Sequence, residues 1–186
     1  RFEQKKNEAS IQMESERRHL QQILQVDEMT GVLNRKAMHA ALKNVEFSAG
    51  GDSYILAISD MDNFKGINDQ WGHHLGDRCL MEYAKILTEN CCKYTPFRYG
   101  GDEFCLLFCN VSMDEAVSVC QKIKTKLSEL RFEDYPMLKL TASFGLAAYS
   151  DQIDTVRLFV HSDYALYEAK ELRDTVRVFQ KEAKFA

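Results

Sequence analysis

The chain has 186 residues, a net charge of −4, 45% hydrophobic and 28% charged residues and only two prolines, a balance that suits one globular domain and excludes a disordered tail. A net negative chain has no overall basic field for a polyanionic backbone, so sequence-independent binding to DNA or RNA is excluded while a small phosphorylated ligand stays open. No apolar run approaches the roughly 18 residues that cross a bilayer, and the N-terminus lacks an apolar signal core, so we expect a cytoplasmic chain, or the cytoplasmic part of a membrane-anchored protein, without membrane contact of its own.

Residues 1–26 contain no Gly or Pro and read as one N-terminal helix, set apart from a domain over 27–186. Its seam, Phe2, Lys6, Ala9, Met13, Glu16, Leu20 and Ile23, follows a heptad spacing interrupted by Lys6 and Glu16. It fits a short coiled coil, a helix packed on its own domain or a solvated linker helix. The chain opens without Met inside this pattern, which suggests a piece of a longer protein. A helix is expected from Asn34 to Gly50-Gly51, a buried strand over Ser53–Asp60, and then a polar loop. A second helix follows after Gly76, around Leu80, Tyr83, Ala84 and Leu87, and Phe97–Tyr99 pairs with Glu103–Phe108 as a hairpin across Gly100-Gly101-Asp102. Ser112 and Glu115 form a capping box that opens a helix to about Leu130. A strand over Leu138–Tyr149, a long helix over Thr155–Leu172 and a strand over Thr175–Phe179 complete the order.

This order predicts an α+β fold, a ferredoxin-like sheet with helices on one face. Of the six cysteines, Cys91 and Cys92 are adjacent, and Cys105, Cys109 and Cys120 sit among apolar residues, so buried reduced thiols are expected and not disulfides.

Two loops at strand ends concentrate carboxylates: Asp60-Met61-Asp62-Asn63-Phe64-Lys65, and Arg98 to Phe104 around the hairpin tip. Carboxylates at the ends of adjacent central strands converge into a hard-cation site suited to Mg²⁺ held partly by substrate phosphates. An EF-hand does not fit the first loop, because Lys65 stands where the obligatory Gly belongs and Trp71 where the bidentate Glu belongs. Gly100-Gly101 taken alone fits a type I′ turn, and only together with the flanking carboxylates does it also fit a backbone approached closely by a phosphate or ribose. His73-His74 reads as a structural pair or a ligand contact, not a metal site.

The segment RYGGDEF, Arg98 to Phe104, resembles the signature of the GGDEF-domain diguanylate cyclases. The resemblance extends to DEMTGVLNR (Asp27–Arg35), similar to the family's D-x-L-T-G-L-x-N-R, and to DMDNFKGINDQWGHHLGD (Asp60–Asp77). Ser143–Ala147 and Asp163–Lys170 match two later blocks in the same order, so the likeness runs from about Asp27 to Phe179.

That resemblance implies a cyclase-palm sheet that condenses two GTP molecules into cyclic di-GMP and pyrophosphate. It implies a metal site, Mg²⁺ or Mn²⁺, from Asp60, the carbonyl of Met61, Asp102 and Glu103. Glu103 becomes the base for the ribose 3′-hydroxyl or a ligand of a second metal. Asn68 and Asp77 read guanine with His73 nearby, Lys65 and Lys170 meet phosphate beside the N–H groups of Asn63 and Phe64, and Gly100 and Gly101 line the substrate. Each domain would hold one GTP, so a homodimer completes the reaction, with an upstream sensory domain acting through the N-terminal helix.

The chain departs from the family in two places. The product-inhibition motif Arg-x-x-Asp falls on Cys91-Cys92-Lys93-Tyr94, and A-K-x-x-G-R-N reads Ala169-Lys170-Glu171-Leu172-Arg173-Asp174-Thr175, with Asp174 in register with a phosphate-contacting Arg. The second departure keeps an alternative alive, a GTP- or cyclic-dinucleotide-binding regulatory module with little turnover.

Overall fold

The computed structural model describes residues 13, 25–47, 52–89, 92–150 and 153–180. The expected N-terminal helix, with its coiled-coil seam, lies outside the described residues apart from Met13 and residues 25–26, and Cys91 lies outside them as well.

The described elements run β1 (Leu33–Asn34), α1 (Arg35–Phe47), β2 (Tyr54–Met61), α2 (Phe64–Trp71), α3 (His73–Thr88), β3 (Tyr94–Gly100), β4 (Glu103–Cys109), α4 (Met113–Glu129), β5 (Ala142–Ala148), α5 (Thr155–Leu172) and β6 (Val176–Val178). They build a six-stranded mixed sheet in the order β1-β3-β4-β2-β5-β6. Central β2 is antiparallel to both β4 and β5, whereas the edge strands β1 and β6 lie parallel to β3 and β5.

The helices cover both faces of the sheet, which corrects the expectation of a single covered face. Ala57, Phe104, Leu106 and Phe144 pack with α3 and α4, while Leu56, Ile58, Cys105 and Ala147 pack with α1 and α5. The reason is compositional. The run Ile55-Leu56-Ala57-Ile58 is apolar on successive residues, and successive strand residues point to opposite faces, so neither face can be left to water.

Specific contacts fix each layer. Ser59 and Tyr83 share a buried 2.7 Å hydrogen bond that ties α3 to β2. On the other face α5 lies so close to β5 that a Cβ on Gly145 would collide with the backbone at Ser162 and Leu166. Ser162 Oγ reaches Leu56 O at 3.0 Å through that contact. Ser112 caps α4 as expected, its Oγ accepting from Glu115 N–H at 3.2 Å, while the Glu115 carboxylate pairs with Lys93.

Three boundaries differ from the sequence reading. The segment taken as a polar loop contains α2, whose Phe64, Ile67 and Trp71 share one helix face against the core. β3 begins three residues earlier, at Tyr94. Its Pro96 is tolerated because β1 pairs β3 only at Phe97 and Arg98. β5 begins at Ala142, and the preceding Thr141 gives its carbonyl to Asp62 N–H at 2.8 Å.

All described cysteines are free. Cys105 and Cys120 are buried as expected and so is Cys79, whereas Cys92 and Cys109, the last residue of β4, are exposed. Burial pushes the Cys79 thiol up to about 11, which keeps it protonated and unreactive. No helix among the described residues is long and apolar enough to cross a membrane.

Candidate active site

β2 and β4 bring two acids face to face. Asp60 pairs with Glu103 directly across the antiparallel ladder, so both side chains leave the sheet on the same face, with Cβ atoms about 5 Å apart. Like charges so placed destabilise a sheet. Asp102 adds a third carboxylate from the adjoining turn.

The electrostatics register this crowding. Asp60 is pushed up to about 6, first by burial and then by the charges of Asp102 and Glu103, against the opposing pull of Lys170. Glu103 is raised by burial, then by Asp102 and Asp163, with Lys170 and Arg35 opposing. Among the described residues, no three acidic, His or Cys side chains converge tightly enough to enclose a metal by themselves. Asp60, Asp102, Glu103 and the Met61 carbonyl nevertheless form an all-oxygen donor set whose mutual repulsion Lys170 relieves only in part. A hard divalent cation would relieve it, so these residues fit such an ion.

Lys170, from the last turn of α5, sits at the centre. Its ammonium pairs with Asp60 Oδ1, donates to the carbonyls of Asp60 and Met61 at 3.2 and 3.1 Å, and lies 3.3 Å from Asp62 Oδ1. It thus bridges the first and second Asp of the D-x-D segment.

Asp62 has a different task from Asp60. Its Oδ1 accepts from Ser143 Oγ at 2.9 Å and faces Lys170, while its Oδ2 accepts from Thr141 Oγ1 and Asp174 N–H, each at 2.8 Å. These partners fill its roughly four acceptor positions. Burial works to raise its pKa, but the hydrogen bonds from Asp174, Thr141 and Ser143 and the charge of Lys170 outweigh burial and hold the carboxyl below its ordinary value. Asp62 is therefore a fixed anion that orients Lys170 and has no acceptor to spare. The sequence motif marks its presence but not this role.

The hairpin turn corrects one expectation and sharpens another. Gly100 pairs with Glu103, leaving Gly101 and Asp102 as the turn residues, and of the two glycines only Gly101 has positive φ, at 52°. A type I′ turn needs positive φ at both central residues, so the pair is not one. Gly100 thus has no conformational reason to be glycine, and a Cβ there would meet nothing within 4 Å. Its missing side chain leaves the backbone open to a close ligand.

The loop after β2 places the other candidates. Asn63 adopts the left-handed conformation, φ 57°, and turns the chain into α2. The first N–H groups of a helix lack intrahelical acceptors, and here they belong to Phe64 and Lys65. Asn68 on α2 lies against Gly76 on α3, where a Cβ would collide with Asn68 Oδ1. Asp77 is the next residue of α3. His73 opens α3 and is exposed, as is Lys65 on α2.

The two departures have structural forms. Tyr94 is buried and donates its hydroxyl to Leu87 O at 2.6 Å, and the exposed Lys93 is paired with Glu115. Asp174 follows Arg173 in a turn where both residues have positive φ, 57° and 44°. Its side chain faces Lys124 at 3.2 Å.

A family model described as "Diguanylate cyclase, GGDEF domain" matches residues 24–175. The chain belongs to the GGDEF family. It is 33% identical over 159 residues to the response regulator PleD of Caulobacter vibrioides, covering 82% of this chain and 35% of PleD. It is 34% identical over 148 residues to the diguanylate cyclase DgcM of Escherichia coli K12, covering 77% of this chain and 35% of DgcM. This GGDEF chain therefore spans about a third of the length of these curated relatives. Among solved structures, the coiled coil and GGDEF domain of DgcB from Caulobacter crescentus in complex with c-di-GMP superposes with TM-score 0.81 at 27% identity, covering 95% of this chain and 98% of that one. The diguanylate cyclase SiaD from Pseudomonas aeruginosa, solved with its activator SiaC, gives TM-score 0.78 at 30% identity over 94% of this chain and 71% of that one.

Proposed function

We propose that this GGDEF domain is a diguanylate cyclase. It joins two GTP molecules into cyclic di-GMP with release of two pyrophosphates, and serves as the output of a longer signalling protein. The observation that carries the reading is the facing pair Asp60 and Glu103, held at the strand ends beside Asp102 and under Lys170. A domain that only binds has no use for such costly repulsion.

In each half-reaction the ribose 3′-oxygen loses its proton, bonds to the α-phosphorus of the facing GTP, and the bond from that phosphorus to pyrophosphate breaks. Glu103, at the strand end facing Asp60, accepts the proton. Lys170 supplies positive charge to the phosphates, pre-oriented by Asp62. Asn68 and Asp77 hold guanine, with His73 beside them, while the N–H groups of Asn63 and Phe64, the Lys65 ammonium and the open backbone at Gly100 and Gly101 receive phosphate and ribose. A divalent cation, Mg²⁺ or Mn²⁺, held by Asp60, Asp102, Glu103 and the Met61 carbonyl would supply charge neutralisation across the phosphates. Two domains must face each other, so the active species is a homodimer.

Incubation of the purified chain with GTP and Mg²⁺, read by mass spectrometry, tests this reading. Cyclic di-GMP is expected, with turnover per domain rising with protein concentration, and Asp102→Ala and Glu103→Gln should abolish it while the fold persists. Asp174 in place of a phosphate-contacting Arg favours a second reading, nucleotide binding without turnover. GTP binding with no product from the wild-type chain would select it.

A further inference from the structure

We infer that Lys124, on α4 and outside every motif of the family, is a positioning residue for Lys170, acting through the turn at Arg173-Asp174 and through Asp62. The inference rests on the proposed role of Lys170 as a phosphate contact.

The turn that joins α5 to β6 is locally unfavourable. Arg173 and Asp174 are consecutive non-glycine residues at positive φ, and Arg173, with ψ at 165°, occupies a region that a non-glycine residue enters only when its surroundings impose it. Two contacts impose it here. Asp174 N–H donates to Asp62 Oδ2 at 2.8 Å, and the Lys124 ammonium reaches both the carbonyl of Asp174 and, at 3.2 Å, its Oδ1. That Oδ1 is buried and has no hydrogen-bond partner apart from this ion pair. Lys124 therefore holds the turn and cancels its acid.

The other end of the same path is the site. Asp62 faces Lys170 with the oxygen that Asp174 leaves free, and Lys170 reaches Asp60 and Met61. Without Lys124, a part-buried carboxylate beside an anion-binding site becomes uncompensated. The N–H that helps hold Asp62 is released with the turn, and Lys170 loses its orientation. Where a phosphate-contacting Arg is replaced by an acid, a cation from α4 thus restores the charge balance without itself touching substrate.

The test uses Lys124→Met, Lys124→Arg and the double variant Lys124→Met with Asp174→Asn. One readout needs no nucleotide: the rate at which acetic anhydride labels Lys170, measured by mass spectrometry of the peptide. The other is calorimetric binding of a non-hydrolysable GTP analogue. Labelling of Lys170 should rise severalfold in Lys124→Met and stay at the wild-type rate in Lys124→Arg. Analogue binding should weaken about tenfold in Lys124→Met and recover in the double variant, where no charge remains to cancel. Unchanged labelling in Lys124→Met overturns the inference whatever the nucleotide does. So does raised labelling with analogue binding intact, or failure of Asp174→Asn to rescue. Raised labelling in a chain whose wild type binds no analogue supports the positioning path and removes the proposed function instead.

Discussion

Arg98 Nη1 donates to Asp27 Oδ1 at 3.0 Å, joining the opening motif of the domain to the hairpin that carries Asp102 and Glu103. The same guanidinium spans the turn, giving Nε and Nη2 to Gly101 O at 3.0 and 2.8 Å. One planar fork thus fixes both the shape of the turn and its distance from the start of the domain, which a lysine cannot do.

This pair makes stability depend on acid. Burial works to raise the Asp27 pKa, but hydrogen bonds from Thr30 and Arg98, with the Arg98 charge, outweigh burial and leave it lowered. A carboxylate whose folded pKa lies below its unfolded value of about 3.9 stabilises the fold above that value and ceases to as pH falls through the folded pKa. Arg98→Met should cost about 1.5 kcal/mol at pH 7, and the cost should shrink in urea unfolding repeated below pH 4. An equal cost at both pH values would remove Asp27 from the account.

Arg173 occupies the position of a family glycine at φ 57°. With ψ at 165° it lies outside the left-handed helical well, in a region essentially reserved for glycine that costs another residue about 1–3 kcal/mol, so Arg173→Gly should stabilise the domain by about 1 kcal/mol, or about 2–4 °C in Tm for a chain of this size. Scanning calorimetry decides it, and a lower Tm would mean that the Arg173 side chain makes a stabilising contact.

Gly145→Ala should act in the opposite direction. The added methyl has only backbone to push against, at Leu166 and Ser162, so α5 must lift from β5. Overpacking of this kind costs about 1–3 kcal/mol. Because α5 also carries Lys170, the variant should weaken GTP binding beyond its loss of stability. Wild-type denaturation midpoints would refute the close packing.

Which parts of this molecule are legible in its sequence follows from the range of the interactions involved. Asp60 and Glu103 are legible because each stands where an apolar strand meets a turn, and neighbouring strands then bring them together. α5 is legible to its ends, since Asp154 caps it, accepting from Arg157 N–H at 2.8 Å. α2 escapes a reading by polarity because Gly66, Asn68 and Asp69 mask the spacing of Phe64, Ile67 and Trp71. The task of Asp62 could not be read at all: its partners lie 79, 81 and 112 residues away. The same holds for Lys124, 50 residues from Asp174.

Product control should be weak. Tyr94, in register with the family's acidic inhibitory residue, is buried and spends its hydroxyl on Leu87 O, while Lys93 is paired with Glu115. Neither provides a bidentate guanidinium or a free carboxylate acceptor. Cyclic di-GMP should therefore inhibit only by competing with GTP. Calorimetric binding of cyclic di-GMP that survives Asn68→Ala and Asp77→Ala would reveal a separate product site.

In the proposed function guanine is read by Asn68, whose side-chain oxygen lies against Gly76, and by Asp77, the next residue of α3. A carboxylate at Asp77 can accept from guanine N1–H and from the 2-amino group, whereas adenine presents a bare N1 acceptor and no 2-amino group. Against ATP, the carboxylate would lose both donors and face a lone pair. A site built around such hydrogen bonds rejects the analogue that lacks them by on the order of 10⁴-fold. GTP should be preferred to ATP to that degree in kcat/KM, measured with each nucleotide alone. Asp77→Ser, whose hydroxyl can donate as well as accept, should narrow the preference by at least about tenfold, chiefly by weakening GTP. Gly76→Ala, which displaces Asn68 and leaves the Asp77 carboxylate in place, should reduce GTP binding and narrow the preference less than Asp77→Ser does. If Asp77→Ser kept the full preference for GTP, guanine would have to be read by residues other than these.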